Sequence, residues 1–155
     1  MSGVLVLRNH QRARRVDTRY LRRIIQAAIR DGISGNHFEI GVHLVEEPEI
    51  IQLNEKYLKH AGPTDVISFD YGSDASSGGL AGEIFVCVPI ATSQARRFRT
   101  TWQSELVRYV IHGILHLLGY DDHSPRERRK MKVEEDRLVR RMAIDFSLER
   151  VGLRK

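Results

Sequence analysis

The stretch from His112 to His123, H-G-I-L-H-L-L-G-Y-D-D-H, constrains this chain more than any other part of its sequence. It holds three of the seven histidines, together with two aspartates. His112 and His116 are four residues apart, and side chains at this spacing lie one above the other on the same face of an α-helix. Two imidazoles placed in this way can reach one metal ion. The spacing therefore predicts a helix that carries two ligands of a metal site.

The residues after the histidine pair predict how the site is completed. Gly119 is expected to end the helix, because glycine adopts the left-handed backbone of a helix C-terminal cap without steric cost. The chain can then return with Asp121, Asp122 or His123 as a third ligand. Three protein ligands leave a fourth tetrahedral position open, which is typical of catalytic zinc sites. The alternative is a pair of ordinary, partly buried histidines on an amphipathic helix.

The residue after the first histidine bears on which reaction the metal site could catalyse. In the zinc protease pattern H-E-x-x-H, the glutamate is the general base. This chain has Gly113 at that position, so peptide hydrolysis by that route lacks its base. A different zinc hydrolase, peptidase-like and with a base from elsewhere in the chain, is kept as an alternative function.

The segment H-G-I-L-H-L-L-G-Y-D resembles the signature H-G-x-L-H-L-x-G-Y-D-H of the YbeY family, bacterial zinc-dependent endoribonucleases of ribosomal RNA maturation. The resemblance implies three metal-binding histidines, the third six residues after the second. In this chain that position is Asp122, and His123 follows it. Because unchanged spacing needs no rearrangement and a carboxylate oxygen is an acceptable zinc ligand, we predict Asp122 as the third ligand. His123 is the alternative if the turn bulges by one residue.

A second segment, residues 53–69, is similar to the same family. Its sequence L-N-E-K-Y-L-K-H-A-G-P-T-D-V-I-S-F resembles the family's L-N-x-x-Y-R…P-T-D-V-L-S-F. The family has a functionally important arginine after the tyrosine, where this chain has Leu58. Lys59 beside it supplies positive charge, but its ammonium group is a point charge and cannot form the paired hydrogen bonds of an arginine guanidinium. The sequence leaves the general base open, and our candidates for it are Lys59, Asp65 and His123.

Hydrophobic periodicity predicts an α+β fold, a small four-stranded mixed sheet packed with helices, with the metal helix at the centre. With 155 residues, we expect one domain that spans 1–155. Along the metal helix, an ion pair between Glu105 and Arg108 is expected. Strands are expected at 4–7, 37–45, 66–69 and 80–86, helices at 18–32, 47–60, from 89, at 102–118 and 125–146, and a Gly- and Ser-rich loop at 71–79.

Charge and cysteine content bear on partners and location. The formal net charge of +5 suits a polyanionic partner. No apolar run approaches the roughly 20 residues that span a membrane, so no membrane association is expected. The lone Cys87 excludes an internal disulfide framework and fits a reducing compartment, so we expect a cytoplasmic protein.

The resemblance adds the substrate and the cofactor to these expectations. It implies one Zn²⁺ per chain, and single-stranded or ribosomal RNA and the small ribosomal subunit as partners. The implied role is maturation of the 3′ end of small-subunit ribosomal RNA, together with ribosome quality control. A non-catalytic ribosome-assembly factor, whose metal only holds the fold, is kept as the second alternative.

Overall fold

The computed structural model describes residues 2–32, 37–60, 62, 64–72 and 79–153, so most of the loop predicted at 71–79 lies outside the described residues. The described part of the chain forms four strands and five α-helices. They are β1 (Ser2–Asn9), α1 (Thr18–Gly32), β2 (His37–Val45), α2 (Glu47–Tyr57), β3 (Val66–Asp70), β4 (Gly79–Cys87), α3 (Val88–Phe98), α4 (Trp102–Leu117), α5 (Pro125–Asp145) and a short 3-10 turn at Leu148–Val151. Along the chain β3 is next to β4 and the last three helices are in succession, which confirms the predicted α+β class.

The four strands form one mixed sheet in the order β1-β2-β4-β3. β1 and β4 both run parallel to β2, while β3 pairs antiparallel with β4. Alternation along β2 sends Phe38, Ile40, Val42 and Leu44 into the main core, as a period of two requires. The four-stranded mixed sheet predicted from the sequence is therefore confirmed.

Helices cover both faces of this sheet. On one face α1, α4 and α5 share the main core, and α4 contributes its buried apolar stripe, Leu106, Val110, Ile114 and Leu117. On the other face Ile50 of α2 packs with Val45, Ile67 and Cys87. Burial raises the pKa of the Cys87 thiol to about 11, so this cysteine remains a protonated, apolar core residue at neutral pH. None of the described helices combines the length and apolar character that crossing a bilayer requires.

Two elements, β1 and α2, differ from the sequence prediction by more than one residue at an end. β1 runs from Ser2 to Asn9, because it pairs with β2 over its whole length and not only through its apolar centre. α2 ends at Tyr57, before the predicted end near His60. Leu58 caps this helix, and Lys59 then takes a left-handed backbone with φ of 60°.

Gly113 lets α4 approach the sheet closely. A Cβ atom at this position would lie 2.6 Å from Cγ2 of Ile84 on β4. We expect Gly113→Ala to lower the free energy of unfolding by about 1–3 kcal/mol, the usual cost of overpacking a core, as measured by chemical denaturation. The control is Gly32→Ala, whose new Cβ would meet Leu118 Cδ1 at an ordinary 3.6 Å. Equal stability of the two variants would contradict the close approach.

Candidate metal centre

The ends of α4 are fixed by local hydrogen bonds. At its start, Thr101 is the N-cap and its Oγ1 accepts from the Ser104 N–H at 3.1 Å. At its end, Gly119 has φ of 100°, and the N–H of Tyr120 donates to the Leu115 carbonyl at 3.0 Å. Together with the Gly119 N–H, which donates to the His116 carbonyl at 3.0 Å, this is a Schellman ending. The predicted glycine stop is confirmed, and it turns the chain back toward the helix.

His112 and His116 direct the same ring nitrogen toward each other. Their Nε2 atoms are 3.1 Å apart. The Nδ1 atom of His112 lies 2.7 Å from Oε1 of Glu135, and Nδ1 of His116 lies 3.1 Å from the Tyr120 carbonyl oxygen. Because a carboxylate and a carbonyl only accept, each Nδ1 carries the proton. In the neutral form of each imidazole the lone pair is then on Nε2, as in metal-binding histidines.

The turn after α4 brings Asp122 to this pair. Its Oδ2 lies 4.0 Å from Nε2 of His116, and the candidate ligand atoms of His112, His116 and Asp122 all lie within 4.8 Å of one another. His123 instead has a side chain that is 84% exposed, with Nε2 3.2 Å from Oδ1 of Asp121. The group around the two histidines thus contains Asp122 and not His123 among the described residues. That Asp122 binds the metal remains a prediction.

These donors fit a zinc ion. Nitrogens bound at 2.0–2.1 Å to one tetrahedral zinc lie about 3.3 Å apart, close to the separation of the two imidazoles. Burial, together with the neighbouring His112, lowers the pKa of His116, so its imidazole stays neutral, which is the form that binds a metal. A carboxylate beside two imidazoles completes a set that suits a divalent cation and leaves a position for water or substrate.

Glu135 binds the Nδ1 side of His112, away from the paired Nε2 atoms. This residue was not among the site residues predicted from the sequence. Its Oε2 lies 2.7 Å from Nη1 of Arg108, which also lies 2.7 Å from Oδ1 of Asp136. Burial alone would raise the pKa of the Glu135 carboxyl, but hydrogen bonds from His112 and Arg108 outweigh it and hold the pKa below its usual range. Glu135 is therefore a carboxylate that fixes the orientation of His112.

The expected Glu105–Arg108 ion pair is wrong. Arg108 turns to the acidic residues of α5, and Glu105 accepts from Oγ1 of Thr100 at 2.9 Å. The neighbouring helix offers Arg108 a buried carboxylate that spacing along α4 alone does not reveal. The one sequence signal for it is the run E-E-D at 134–136 on an otherwise strongly basic helix.

An open cleft of about 780 Å³ lies beside His112 and Asp122. Of the three base candidates, Asp65 lines this cleft, whereas Lys59 and His123 do not. Oδ1 of Asp65 accepts from the Val66 N–H at 2.8 Å, and no partner of Oδ2 occurs within the described part of the chain. One wall comes from α5 and carries three basic residues, Arg128, Arg129 and Lys132.

Comparison with known proteins gives consistent matches. The family model described as endoribonuclease YbeY matches residues 6–143. Endoribonuclease YbeY of Chlorobium luteolum is 38% identical over 83% of this chain and 91% of its own length. The Syntrophotalea carbinolica relative of the same name is 31% identical over 93% and 99%. The solution structure of TM1509 from Thermotoga maritima covers 90% of this chain and 89% of that one, with a TM-score of 0.63 and 28% identity.

Proposed function

This chain belongs to the endoribonuclease YbeY family, and from this premise we propose that it cuts single-stranded RNA at the cleft beside His112, His116 and Asp122. The observation that carries the proposal is the pair of histidine Nε2 lone pairs, 3.1 Å apart, beside an open cleft with a basic wall. The paired nitrogens suit a metal, and the basic wall suits a phosphate backbone.

We propose Zn²⁺ as the metal, one per chain, held by His112, His116 and Asp122. Two imidazoles and one carboxylate are a usual ligand set for catalytic zinc. When bound, zinc supplies Lewis-acid chemistry, since it polarises a phosphoryl oxygen and acidifies water. The protein's own part is to hold His112 through Glu135 and His116 through the Tyr120 carbonyl, so that both imidazoles present the same nitrogen.

Asp65 is our proposed general base. It lines the cleft, and the Val66 N–H holds one carboxylate oxygen at 2.8 Å while the other is left to accept a proton from the attacking water. The cations of α5, Arg128, Arg129 and Lys132, hold the backbone phosphates and stabilise charge that develops during cleavage. Gly113 cannot serve as the base of a zinc protease, and its position faces Ile84 of the sheet.

We extend the proposal to ribosomal RNA as the substrate. The support is the family membership, the sequence resemblance to ribosomal RNA maturation enzymes and the net charge of +5. The specific role proposed is processing of the 3′ end of small-subunit ribosomal RNA. We also propose a role in ribosome quality control and a cytoplasmic location. RNA affinity in this role depends on counterion release and falls with added salt.

The test is removal and return of the metal. Purified protein is treated with a chelator, and cleavage of an end-labelled small-subunit ribosomal RNA fragment is followed before and after Zn²⁺ is added, with circular dichroism recorded in parallel. We expect cleavage to stop without metal and to return with zinc, while the helical signal is retained. Cleavage of a peptide but not of RNA would instead indicate a peptidase. Loss of the fold without metal, with RNA bound but uncut in its presence, would indicate an assembly factor.

A further inference from the structure

We propose that a second cavity, at the start of α4, binds the phosphates of single-stranded RNA away from the bond that is cut. This inference rests on the proposed function, because RNA is taken as the ligand. The cavity has a volume of about 860 Å³ and is separate from the metal cleft. We call it the arginine cavity, after four residues in its lining, Arg12, Arg14, Arg15 and Arg150.

The arginine cavity carries more positive than negative charge, and its arginines form no ion pairs among the described residues. None of its four arginines has a carboxylate within 4.0 Å in the described part of the chain, whereas Arg108 and Arg137 elsewhere both form ion pairs. Two acids, Asp17 and Glu149, also line the cavity. The Asp17 carboxylate binds the first turn of α1, where its Oδ1 accepts a hydrogen bond from the Tyr20 N–H at 3.1 Å. The surplus of guanidinium groups suits an anion with several acceptor oxygens, such as a phosphate.

The loop that carries three of these arginines is fixed without using their charged groups. Gln11 is 5% exposed, its Nε2 donates to the Arg14 carbonyl at 2.9 Å, and its Oε1 accepts from the Arg14 N–H at 3.0 Å. The N–H of Leu153 donates to the Arg15 carbonyl at 3.0 Å. The backbone is therefore ordered before any ligand arrives, which lowers the entropic cost of binding.

Aromatic rings orient two of the guanidinium groups. Arg14 lies 5.6 Å from the centre of the Trp102 ring, and its Nε lies 3.4 Å from Oγ1 of Thr92. Arg150 lies 4.6 Å from the centre of the Tyr20 ring. Stacking on a ring restrains a guanidinium but leaves most of its N–H groups free to donate to phosphate oxygens.

The position of the cavity along α4 sets the length of RNA that would use it. Trp102 is the first residue of α4, and His112 and His116 follow on the same helix. At about 1.5 Å per residue, they lie roughly 15 and 21 Å further along the axis. A stacked strand advances about 3.4 Å per nucleotide, so roughly four to six nucleotides separate the two sites. The arginine cavity thus acts on strands of this length or longer and leaves shorter ones unaffected.

The fluorescence of the single tryptophan can be used to measure binding at the arginine cavity. Trp102 lines the cavity and is the only tryptophan of the chain, so its fluorescence reports on this cavity. Zinc-loaded protein is mixed rapidly with a single-stranded 12-nucleotide RNA, and fluorescence is read before cleavage. The variant is Arg12→Gln/Arg15→Gln, and the matched control is Arg30→Gln/Arg96→Gln, which removes two exposed arginines outside both cavities.

We expect RNA to change the Trp102 fluorescence of the wild type and of the control. In Arg12→Gln/Arg15→Gln the affinity falls, and the slope of log affinity against log salt becomes shallower by about 1.4, the value for two phosphate contacts on a single strand. KM for the 12-nucleotide RNA rises while kcat is unchanged. Turnover of a trinucleotide is the same in all three proteins.

Equal losses in the variant and the control would overturn the site, because they would reflect overall charge. An equally tight response of Trp102 to inorganic phosphate alone would also overturn it, since the ligand would then be a small anion. Wild-type protein that binds RNA at Trp102 but cuts none contradicts the proposed function and supports the site. Wild-type protein that cuts RNA, beside a variant with unchanged affinity, contradicts the site alone.

Discussion

His116→Ala is expected to remove both bound zinc and RNA cleavage. His116 supplies one of two nitrogens that face each other across 3.1 Å, and its imidazole is held in place by the Tyr120 carbonyl. Without it, His112 and Asp122 form only a two-residue set, too few to retain zinc tightly. The measurement is zinc content by elemental analysis after gel filtration, beside cleavage of a labelled RNA. Full zinc occupancy in this variant would remove the metal centre from the proposal.

The matched variant is Asp65→Asn, which is expected to keep zinc and lose cleavage. The amide oxygen of asparagine can still accept from the Val66 N–H, so the turn before β3 is preserved, but the amide cannot take a proton. We expect kcat to fall by about 10²–10⁴-fold, the usual contribution of a general base. Unchanged kcat with full zinc would exclude Asp65 as the base and leave Lys59 and His123 as the candidates.

Short-range rules were enough to predict α4 and the strands around it. The spacing of His112 and His116, the glycine at 119 and a threonine before the helix each act within a turn or two of the backbone. The alternation along β2 likewise depends on neighbouring residues alone. Such features can be read from one sequence, and for this reason the fold class and the helix ending were predicted correctly.

Contacts between distant segments could not be predicted in this way. Arg108 had an acidic neighbour three residues earlier, yet it pairs with Glu135, 27 residues further along the chain. Glu135 reaches His112 for the same reason, because α5 packs beside α4. The choice among Lys59, Asp65 and His123 as residues of the cleft also depended on how β3 sits beside α4. Sequence spacing carries no information about which helices become neighbours.

The same limit applies to Gly113. Its sequence position identified it as a departure from the zinc protease pattern, which is a statement about chemistry. In the structure its role is packing, since a side chain here would collide with Ile84. One glycine therefore accounts both for the lack of a protease-type base and for the short distance between the metal helix and the sheet.

The third ligand is the point at which this chain departs from the histidine signature of its family. Asp122 keeps the expected spacing from His116, whereas His123 keeps the expected residue type. The backbone at Asp122 is fixed by its own N–H, which donates to Oδ1 of Asp121 at 2.7 Å, and by Nη1 of Arg128, which donates to its carbonyl at 3.3 Å. Adjacent side chains in such a turn point in different directions, so only one of the two residues can face the histidine pair.

We therefore expect Asp122→Ala to lose zinc and His123→Ala to keep it. Oδ2 of Asp122 lies 4.0 Å from Nε2 of His116, whereas the His123 side chain is 84% exposed and pairs with Asp121. Loss of a ligand should weaken zinc binding by more than the roughly 10–100-fold cost of losing a residue that only supports one. Competition with a fluorescent zinc chelator measures both variants against the wild type. Zinc lost from His123→Ala but retained by Asp122→Ala would show that the turn bulges and that the residue type, not the spacing, determines the ligand.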